Sequence, residues 1–238
     1  MAERELWTVP LGRVAYEEAL ELQRHAARDR ISGALSQDVL LLVEHPPVVT
    51  LGRAAKGKHL IASPEFLRSK GVELFEVERG GDVTFHGPGQ LVGYPIVDLK
   101  RHRLDLHWYL RQVEEALIVA LAELGVPAGR SAGYTGVWTG DSSGDVVPRR
   151  KIASIGVHAR DWVTWHGFAL NVTTDLSYFD LVVPCGIDGV VMTSIARELG
   201  TDDVSMQDVI ERVSAKFAAA FDLTPVVTSR AALFETAA

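Results

Sequence analysis

The feature that most constrains the fold of this 238-residue chain is the grouping of its strand-like segments. Short apolar runs, bounded by Gly, Pro or Asp, follow one another closely instead of alternating with helices. The predicted strands are 39–45, 48–52, 72–78, 82–89, 90–99, 133–140, 151–159 and 163–172. This clustering favours an α/β fold with a mixed β-sheet flanked by helices over a doubly wound parallel sheet.

Four segments show helical periodicity. They are 14–31, 63–70, 105–124 and a C-terminal helix that begins near 205. Ser63 and Ser205 are suited to cap two of these helices, and Gly33 to end the first. Residues 141–149 lack periodicity and are predicted to form an exposed loop. With no repeat or linker, we expect a single catalytic domain over 1–224, followed by a loosely held tail over 225–238.

Charge and composition exclude several classes of protein. The 24 basic and 31 acidic side chains give a net charge of −7, which argues against binding to nucleic acid. No apolar run approaches the length of a membrane span, and the N-terminus lacks the apolar region of a signal peptide. We therefore expect a cytoplasmic protein without membrane contact. One cysteine excludes disulfides and any site of several thiolates.

Two familiar ligand motifs are approached but not matched. Residues 52–59, GRAAKGKH, have the spacing of a phosphate-binding loop, but His59 replaces the hydroxyl residue and no clear helix follows. A dinucleotide fingerprint is absent. His158 and His166 lie eight positions apart, which is no recognised zinc spacing. The sequence predicts neither a metal nor a bound cofactor.

The cysteine, Cys185, lies in the segment VVPCGI. An isolated intracellular cysteine is most often a small buried apolar residue. Pro184 and Gly186, however, favour a tight turn that presents the side chain. A nucleophilic thiol also needs a nearby base or cation, because the thiolate is the attacking species. Lys151, His158 and His166 are the candidates.

The stretch 79–90, RGGDVTFHGPGQ, is rich in polar and glycine residues. Paired glycines allow close backbone approach to a ligand and can direct N–H groups at an oxyanion. Arg79 and His86 bracket this loop. A glycine-rich hairpin with an incidental histidine explains the same residues equally well.

Three segments in this order resemble the lipoyl(octanoyl) transferase family. They are RGGDVTFHGPGQLVGYPIVDL (79–99), RKIASIGVHARDWVTWHGFALNV (150–172) and VPCGI (183–187). The resemblance covers about residues 5 to 222, including EHPPVVTLGR (44–53), and its one visible departure is the longer, more acidic stretch TGDSSGDVVPR. It implies a biotin/lipoate protein ligase-like (class II synthetase-like) fold.

The resemblance also implies an activity and its residues. Such enzymes move octanoyl, or lipoyl, from acyl carrier protein to a lysine of the lipoyl domains of 2-oxoacid dehydrogenase complexes and of glycine cleavage H protein. Cys185 takes the place of the acyl-accepting nucleophile, and Lys151 that of its partner. The substrate-binding segments correspond to Arg79, Gly80, Gly81, Asp82, Val83, Thr84, Phe85, His86, Ser154, Ile155, Gly156, Gly167, Phe168 and Ala169.

The chemistry of this reaction is consistent with the absence of a nucleotide motif. Exchange of one thioester for another is nearly thermoneutral and amide formation from a thioester is downhill, so neither ATP nor a cofactor is required. We expect the acyl chain to lie in an apolar slot formed by Val83, Phe85, Ile155 and Phe168. The acidic carrier protein would dock on a basic patch formed by Arg53, Lys56, Lys58, Arg149 and Arg150.

Two alternatives share this fold. An ATP-dependent lipoate or biotin ligase would form an adenylate and would need no nucleophilic cysteine. A catalytically silent acyl- or carrier-binding module would tolerate replacement of Cys185. The Lys151 and Cys185 pair is the feature that separates a transferase from both.

Overall fold

The clustered apolar segments form two β-sheets in the computed structural model, which describes residues 4–140, 150–187 and 189–235. The strands are β1 (Glu5–Arg13), β2 (Asp38–Glu44), β3 (Val48–Leu51), β4 (Glu73–Glu76), β5 (Val83–His86), β6 (Gln90–Ile96), β7 (Ala128–Ser131), β8 (Tyr134–Thr139), β9 (Arg150–Arg160), β10 (Val163–Asn171), β11 (Val191–Met192) and β12 (Thr224–Val227). The helices are α1 (Tyr16–Ser32), α2 (Pro64–Ser69), α3 (Leu106–Glu123), α4 (Ile195–Leu199), α5 (Met206–Ala220) and α6 (Ala232–Glu235). The predicted loop 141–149 lies outside the described residues.

The larger sheet is mixed, as predicted. Its strand order is β12-β1-β2-β6-β10-β9-β8-β7, with β11 added beside β9. β1 pairs in parallel with both β2 and β12, whereas β2, β6, β10, β9, β8 and β7 form antiparallel neighbours. The central strands β6 and β10 are buried along their whole lengths, so both faces of the sheet must be covered.

Helices cover one face because strand side chains alternate between faces. α3 and α5 pack together there, where Val113 and Phe217 join an apolar cluster with Leu40, Leu91 and Leu170 of the central strands. α3 begins where the Asp105 carboxylate accepts hydrogen bonds from two backbone N–H groups. The predicted helix at 105–124 is therefore confirmed, and the structure adds Asp105 as its cap.

The opposite face of the large sheet is covered by α1. Ala19 and Leu22 of this helix pack against Val39, Val92 and Ala169. These strand positions are offset by one residue from those of the first cluster, as a period of two requires. α1 ends at Gly33, which adopts a left-handed conformation with φ 86°. Flanking helices on both faces confirm the predicted layer arrangement.

The smaller sheet, in the order β4-β3-β5, supports the cysteine segment. Val83 and Phe85 on one face of β5 join an apolar cluster with Phe179 and Val182. The turn Pro184–Gly186 then lies against β5. This packing brings a segment from late in the chain onto the glycine-rich stretch 79–90.

Strands β1 and β12, at one end of the large sheet, differ from expectation. The sequence did not predict β1, whose run contains Pro10 and Gly12, where the pairing with β2 shifts register. The tail 225–238 was expected to be loosely held, but β12 pairs with β1 and Leu233 is fully buried. The edge of β1 that faces away from β2 offers N–H and C=O groups with which the tail can pair. The polarity of the tail residues cannot reveal a partner so distant in the sequence. Residues 236–238 lie outside the described part.

Throughout 4–140, 150–187 and 189–235, no helix has the length and apolarity needed to cross a bilayer.

Candidate active site

Cys185 lies at the centre of a tight turn. Pro184–Gly186 form a single 3-10 turn, closed by hydrogen bonds from the Gly186 N–H to the Val183 carbonyl (2.9 Å) and from the Ile187 N–H to the Pro184 carbonyl (3.1 Å). Cys185 itself has φ 56° and ψ 17°, in the left-handed region that non-glycine residues rarely adopt. The side chain is half-buried and lines a cavity. Such strain at a reactive side chain is typical of functional sites.

Lys151 of β9 is the basic group beside the thiol. Its Nζ donates to Cys185 Sγ at 3.2 Å, although the two residues are 34 positions apart in sequence. The side chain is only 1% exposed, and its Nζ lies 5.1 Å from the ring centroid of Trp138. A side chain on Gly136 would collide with it, because a Cβ there would be 2.8 Å from Lys151 Cε. A lysine Nζ held against a sulfur is the arrangement of base or cation that a nucleophilic thiol needs.

The cavity next to the sulfur has a volume of about 630 Å³. Its floor is formed by β9 and β10, where Ser154 pairs with Ala169 and Gly156 with Gly167. A Cβ on Gly167 would be 2.2 Å from the Gly93 carbonyl oxygen, and one on Gly156 would be 2.7 Å from the Gly80 oxygen. These glycines allow neighbouring backbone segments to approach β9 and β10 closely. They also leave a floor of small residues, along which an extended ligand can lie.

Most of the predicted site residues line this one cavity. Besides Cys185 and Lys151, the lining includes Arg79, Gly80, Gly81, Asp82, Thr84, His86, Ser154, Ile155, Gly156, Gly167, Phe168 and Ala169. Three segments that are distant in sequence are therefore brought together.

Val83 and Phe85, in contrast, do not line the cavity. Both are 1% exposed and pack in the cluster behind β5, where Phe85 stacks on Tyr178 at 4.6 Å between ring centroids. Side chains on a strand alternate, so Thr84 and His86 face the cavity while Val83 and Phe85 face away. The expectation that Val83 and Phe85 bind substrate and line the acyl slot is therefore corrected; Ile155 and Phe168 remain in the lining.

Arg79 shapes the wall of the cavity. Its buried guanidinium donates to the Thr50 carbonyl (2.7 Å), the Thr50 hydroxyl (2.9 Å) and the Gly80 carbonyl (3.1 Å). Burial lowers the pKa of Arg79 from its ordinary value. The Gly80 N–H donates to the Val157 carbonyl at 2.8 Å, which ties the same loop to β9. Arg79 thus holds the glycine pair in place.

One end of the cavity contains aromatic residues that the sequence did not single out. Tyr16 of α1 and Tyr94 of β6 line it with His86. Burial raises the pKa of Tyr16 to about 12 and lowers the pKa of His86 to about 3. His45, whose pKa burial lowers to about 4, is hydrogen-bonded to the Tyr94 hydroxyl at 2.7 Å. These groups are uncharged at neutral pH, so this part of the cavity suits the uncharged end of a ligand.

The other two histidines considered as bases have different surroundings. The His158 ring packs edge-on against Trp165, with centroids 4.3 Å apart. His166 is buried at the cavity wall, with Nε2 3.8 Å from Glu78 Oε1. Within the part of the chain that the structure describes, no group of three or more His, Cys, Asp or Glu side chains is arranged to hold a metal ion.

The predicted basic patch is smaller than its sequence suggested. Arg53, Lys56 and Lys58 are exposed on the loop after β3. Arg150 instead forms a two-point ion pair with Glu198, at 2.8 and 2.7 Å, so its charge is largely compensated. Arg149 lies outside the described residues. The phosphate-loop spacing at 52–59 is followed only by the 3-10 turn Gly57–His59, which lacks the helix N-terminus that a phosphate needs.

Comparison with known proteins agrees with this geometry. Residues 15–218 match the lipoyl protein ligase A/B catalytic domain. An octanoyltransferase from Acidobacterium capsulatum is 52% identical, with 89% of this chain and 88% of that protein aligned. One from Solibacter usitatus is 50% identical, over 89% and 91% of the two chains.

A bi-partite lipoate protein ligase from Thermoplasma acidophilum has a similar fold. Its TM-score is 0.72 at 17% identity, over 98% of this chain and 91% of that one. The chain therefore belongs to the lipoyl protein ligase A/B family, and within that family to the octanoyltransferases.

Proposed function

We propose that this enzyme transfers an octanoyl group from acyl carrier protein to a lysine of a lipoyl domain, through a thioester on Cys185. The observation that carries the proposal is the 3.2 Å contact of Lys151 Nζ with Cys185 Sγ at the wall of a cavity. A ligase that forms an adenylate has no use for this pair. The relatives named octanoyltransferase support the transfer of an octanoyl group.

The first half-reaction exchanges one thioester for another. The Cys185 thiolate attacks the carbonyl carbon of the octanoyl thioester, the new C–S bond forms, and the carrier thiolate leaves and takes up a proton. The ammonium of Lys151 favours the attacking thiolate and is the proton source nearest to it. No net redox change or phosphate transfer occurs.

The second half-reaction forms an amide. The neutral amine of the acceptor lysine attacks the acyl-enzyme carbonyl, a C–N bond forms, and the Cys185 thiolate leaves. The attacking amine must lose a proton, and Lys151 in its neutral form is the proton acceptor. Its Nζ lies 3.2 Å from Cys185 Sγ, next to the acyl carbonyl that the amine attacks. The protons belong to the Cys185 and Lys151 pair as a unit.

The oxyanion of each tetrahedral intermediate needs a donor close to the sulfur. The Gly80 and Gly186 N–H groups donate to backbone carbonyls. The Ser154 hydroxyl oxygen lies 3.6 Å from Cys185 Sγ. We assign the Ser154 hydroxyl as a donor to the oxyanion.

The acyl chain fits the small-residue floor. Ser154, Ala169 and Val92 lie side by side on β9, β10 and β6. Two strand spacings amount to about 10 Å, which is comparable with the length of an extended eight-carbon chain. Tyr94, two residues from Val92 on β6, and Tyr16 line the same end of the cavity. Burial of about six methylenes there contributes roughly 5 kcal/mol to binding.

The test of this function is transfer without ATP. Purified enzyme, octanoyl-carrier protein and a lipoyl domain are mixed in nucleotide-free buffer, and the acceptor is weighed by intact mass spectrometry. Octanoylation of the lipoyl domain is expected, whereas hexadecanoyl-carrier protein should react poorly because its chain exceeds the floor. A second mixture contains free octanoate and ATP in place of octanoyl-carrier protein. Transfer in this second mixture alone would identify a ligase, and the absence of transfer in both mixtures would indicate a binding module.

Carrier docking gives a further prediction. We propose that the acidic carrier protein contacts the exposed loop cations Arg53, Lys56 and Lys58. Surface charge acts over about 8 Å at physiological salt, so a local basic cluster can outweigh the net charge of −7. Reversal of all three to glutamate should raise KM for octanoyl-carrier protein about tenfold or more, with kcat little changed. Steady-state kinetics at several salt concentrations measure this effect.

Two controls separate docking from catalysis. A small octanoyl thioester without the carrier should react at the wild-type rate with the reversed variant. Lys216→Glu is a matched charge reversal on α5, which covers the opposite face of the large sheet from α1. This variant should leave KM for the carrier protein unchanged. Equal losses with both donors would mean that the loop supports the active site itself.

A further inference from the structure

A buried imidazole–carboxylate pair lies directly behind the cysteine turn. His59 Nδ1 donates to Asp82 Oδ2 at 2.6 Å, and both residues are 8% exposed. The other carboxylate oxygen of Asp82 accepts from the Val83 N–H at 2.8 Å. This fixes the carboxylate at the start of β5, so the histidine is anchored to a strand of the small sheet.

His59 holds the turn from two sides. Its carbonyl accepts a hydrogen bond from the Val183 N–H at 2.8 Å, just before the turn. Its ring and the Asp82 carboxylate press against Gly186, just after the cysteine. A Cβ built on Gly186 would lie 2.9 Å from His59 Nδ1 and 2.6 Å from Asp82 Oδ2, so no larger residue fits there.

The backbone of Cys185 requires such support. Its φ of 56° is unfavourable for a residue with a Cβ and persists only when the surroundings enforce it. If Cys185 relaxed to negative φ, the direction of its side chain would change and Sγ would leave Lys151 Nζ. Among the contacts of the described residues, those of His59 and Asp82 bracket the strained residue on both flanks.

We propose that the His59–Asp82 pair is a positioning element that keeps Cys185 in its left-handed conformation and thereby keeps the thiol at Lys151. His59 acts through the turn and not on the reacting atoms. Its consequence for turnover rests on the proposed acyl transfer, but its consequence for the thiol does not. Among the described residues, the charged or titratable groups near the turn include Lys151 from β9, Arg79 and Asp82 from the segment before β5, and His59.

The test compares two substitutions of His59. His59→Leu removes the hydrogen bond to Asp82, whereas His59→Asn retains a side-chain N–H close to the position of Nδ1. Cys185 is the one cysteine in the sequence, so iodoacetamide labelling reports on this thiol alone. At pH 7 we expect His59→Leu to lower the alkylation rate and kcat about 100-fold, with KM for a small octanoyl thioester little changed. His59→Asn should recover most of both losses.

A matched control separates the effect on the position of the Cys185 thiol from an effect on the stability of the folded protein. His102 Nε2 contacts Asp38 Oδ2 at 2.7 Å in another buried pair, remote from the turn at the start of β2. His102→Leu should lower the melting temperature to a similar extent, yet alkylation per folded molecule should match wild type. Circular dichroism melts measure the folded fraction of each variant.

The outcomes distinguish this inference from the proposed function. Wild-type alkylation in folded His59→Leu, or equal slowing in His59→Asn, overturns the positioning role. Slow alkylation in His59→Leu together with recovery in His59→Asn supports it, even if the wild-type enzyme transfers no octanoyl group. In that last case the proposed function fails and the positioning role of the pair stands.

Discussion

Replacement of Cys185 by alanine is expected to abolish both acyl-enzyme formation and octanoyl transfer, with a loss of about 10⁴-fold or more in turnover. In the proposed mechanism this side chain supplies the attacking sulfur, and Lys151 Nζ lies 3.2 Å from it. Intact mass spectrometry of the enzyme after mixing with octanoyl-carrier protein should show one added octanoyl group in wild type and none in Cys185→Ala.

Two observations check the chemistry of that adduct. A thioester is cleaved by neutral hydroxylamine, so the added mass should disappear on treatment. Cys185→Ser keeps the shape of the turn but offers a much weaker nucleophile, and it should accumulate little acyl-enzyme. Labelling of Cys185→Ala, or full wild-type turnover with no acyl-enzyme at any time, would contradict covalent catalysis on this residue.

Lys151→Arg is expected to separate the two half-reactions. Arginine retains the positive charge that favours the thiolate, so acyl-enzyme should still form. Arginine does not give up its proton at accessible pH, so it cannot accept one from the acceptor lysine. We expect amide formation to fall about 10³-fold, within the range usual for loss of a general base. Rapid-quench measurements of acyl-enzyme formation and of its transfer to a lipoyl domain test the two steps individually.

A neutral substitution provides the comparison. Lys151→Met has a similar length and no charge, so it should impair both half-reactions, including alkylation of Cys185 by iodoacetamide. Because the two residues act as a unit, the double variant Cys185→Ala, Lys151→Met should be no worse than Cys185→Ala alone. Near wild-type transfer to the acceptor by Lys151→Arg would exclude an obligatory proton transfer at this position.

The side chain of Lys151 is closely enclosed. Its stem lies between Gly136 and Trp138, whose ring centroid is 5.1 Å from Nζ. This packing helps to hold Nζ beside Cys185 Sγ.

Local patterns determined the helices because their signals lie within a few residues. Ser63, Asp105 and Ser205 accept hydrogen bonds from the first turns of α2, α3 and α5, and such caps are readable from sequence. The strands of the sheet interior were likewise predicted from their apolar runs. The mixed sheet with flanking helices followed from the order of these elements, since clustered strands cannot form a regular parallel sheet.

The site residues were named from sequence largely through the family motifs, and the structure corrected two of them. Val83 and Phe85 lie within a motif in which every second residue faces the cavity. Which of the two alternating sets faces the cavity depends on which face of β5 packs against the apolar cluster. Periodicity gives the alternation but not its phase relative to a distant core. The same lack of information hid β1 and β12, whose pairing joins the two ends of the chain.

Helices α1, α2, α3 and α5, the interior strands, the single thiol and the family motifs could therefore be read from the sequence, because each depends on neighbouring residues, whereas the short helices α4 and α6 were not predicted. The family resemblance implied that Lys151 is the partner of Cys185, and the structure supplied their 3.2 Å contact across 34 positions. The ion pair of Arg150 with Glu198 could be found only in the folded chain. The tertiary structure alone showed that His59 supports the cysteine turn. These contacts join segments far apart in the chain, and their geometry is set by how the two sheets pack, which no local spacing encodes.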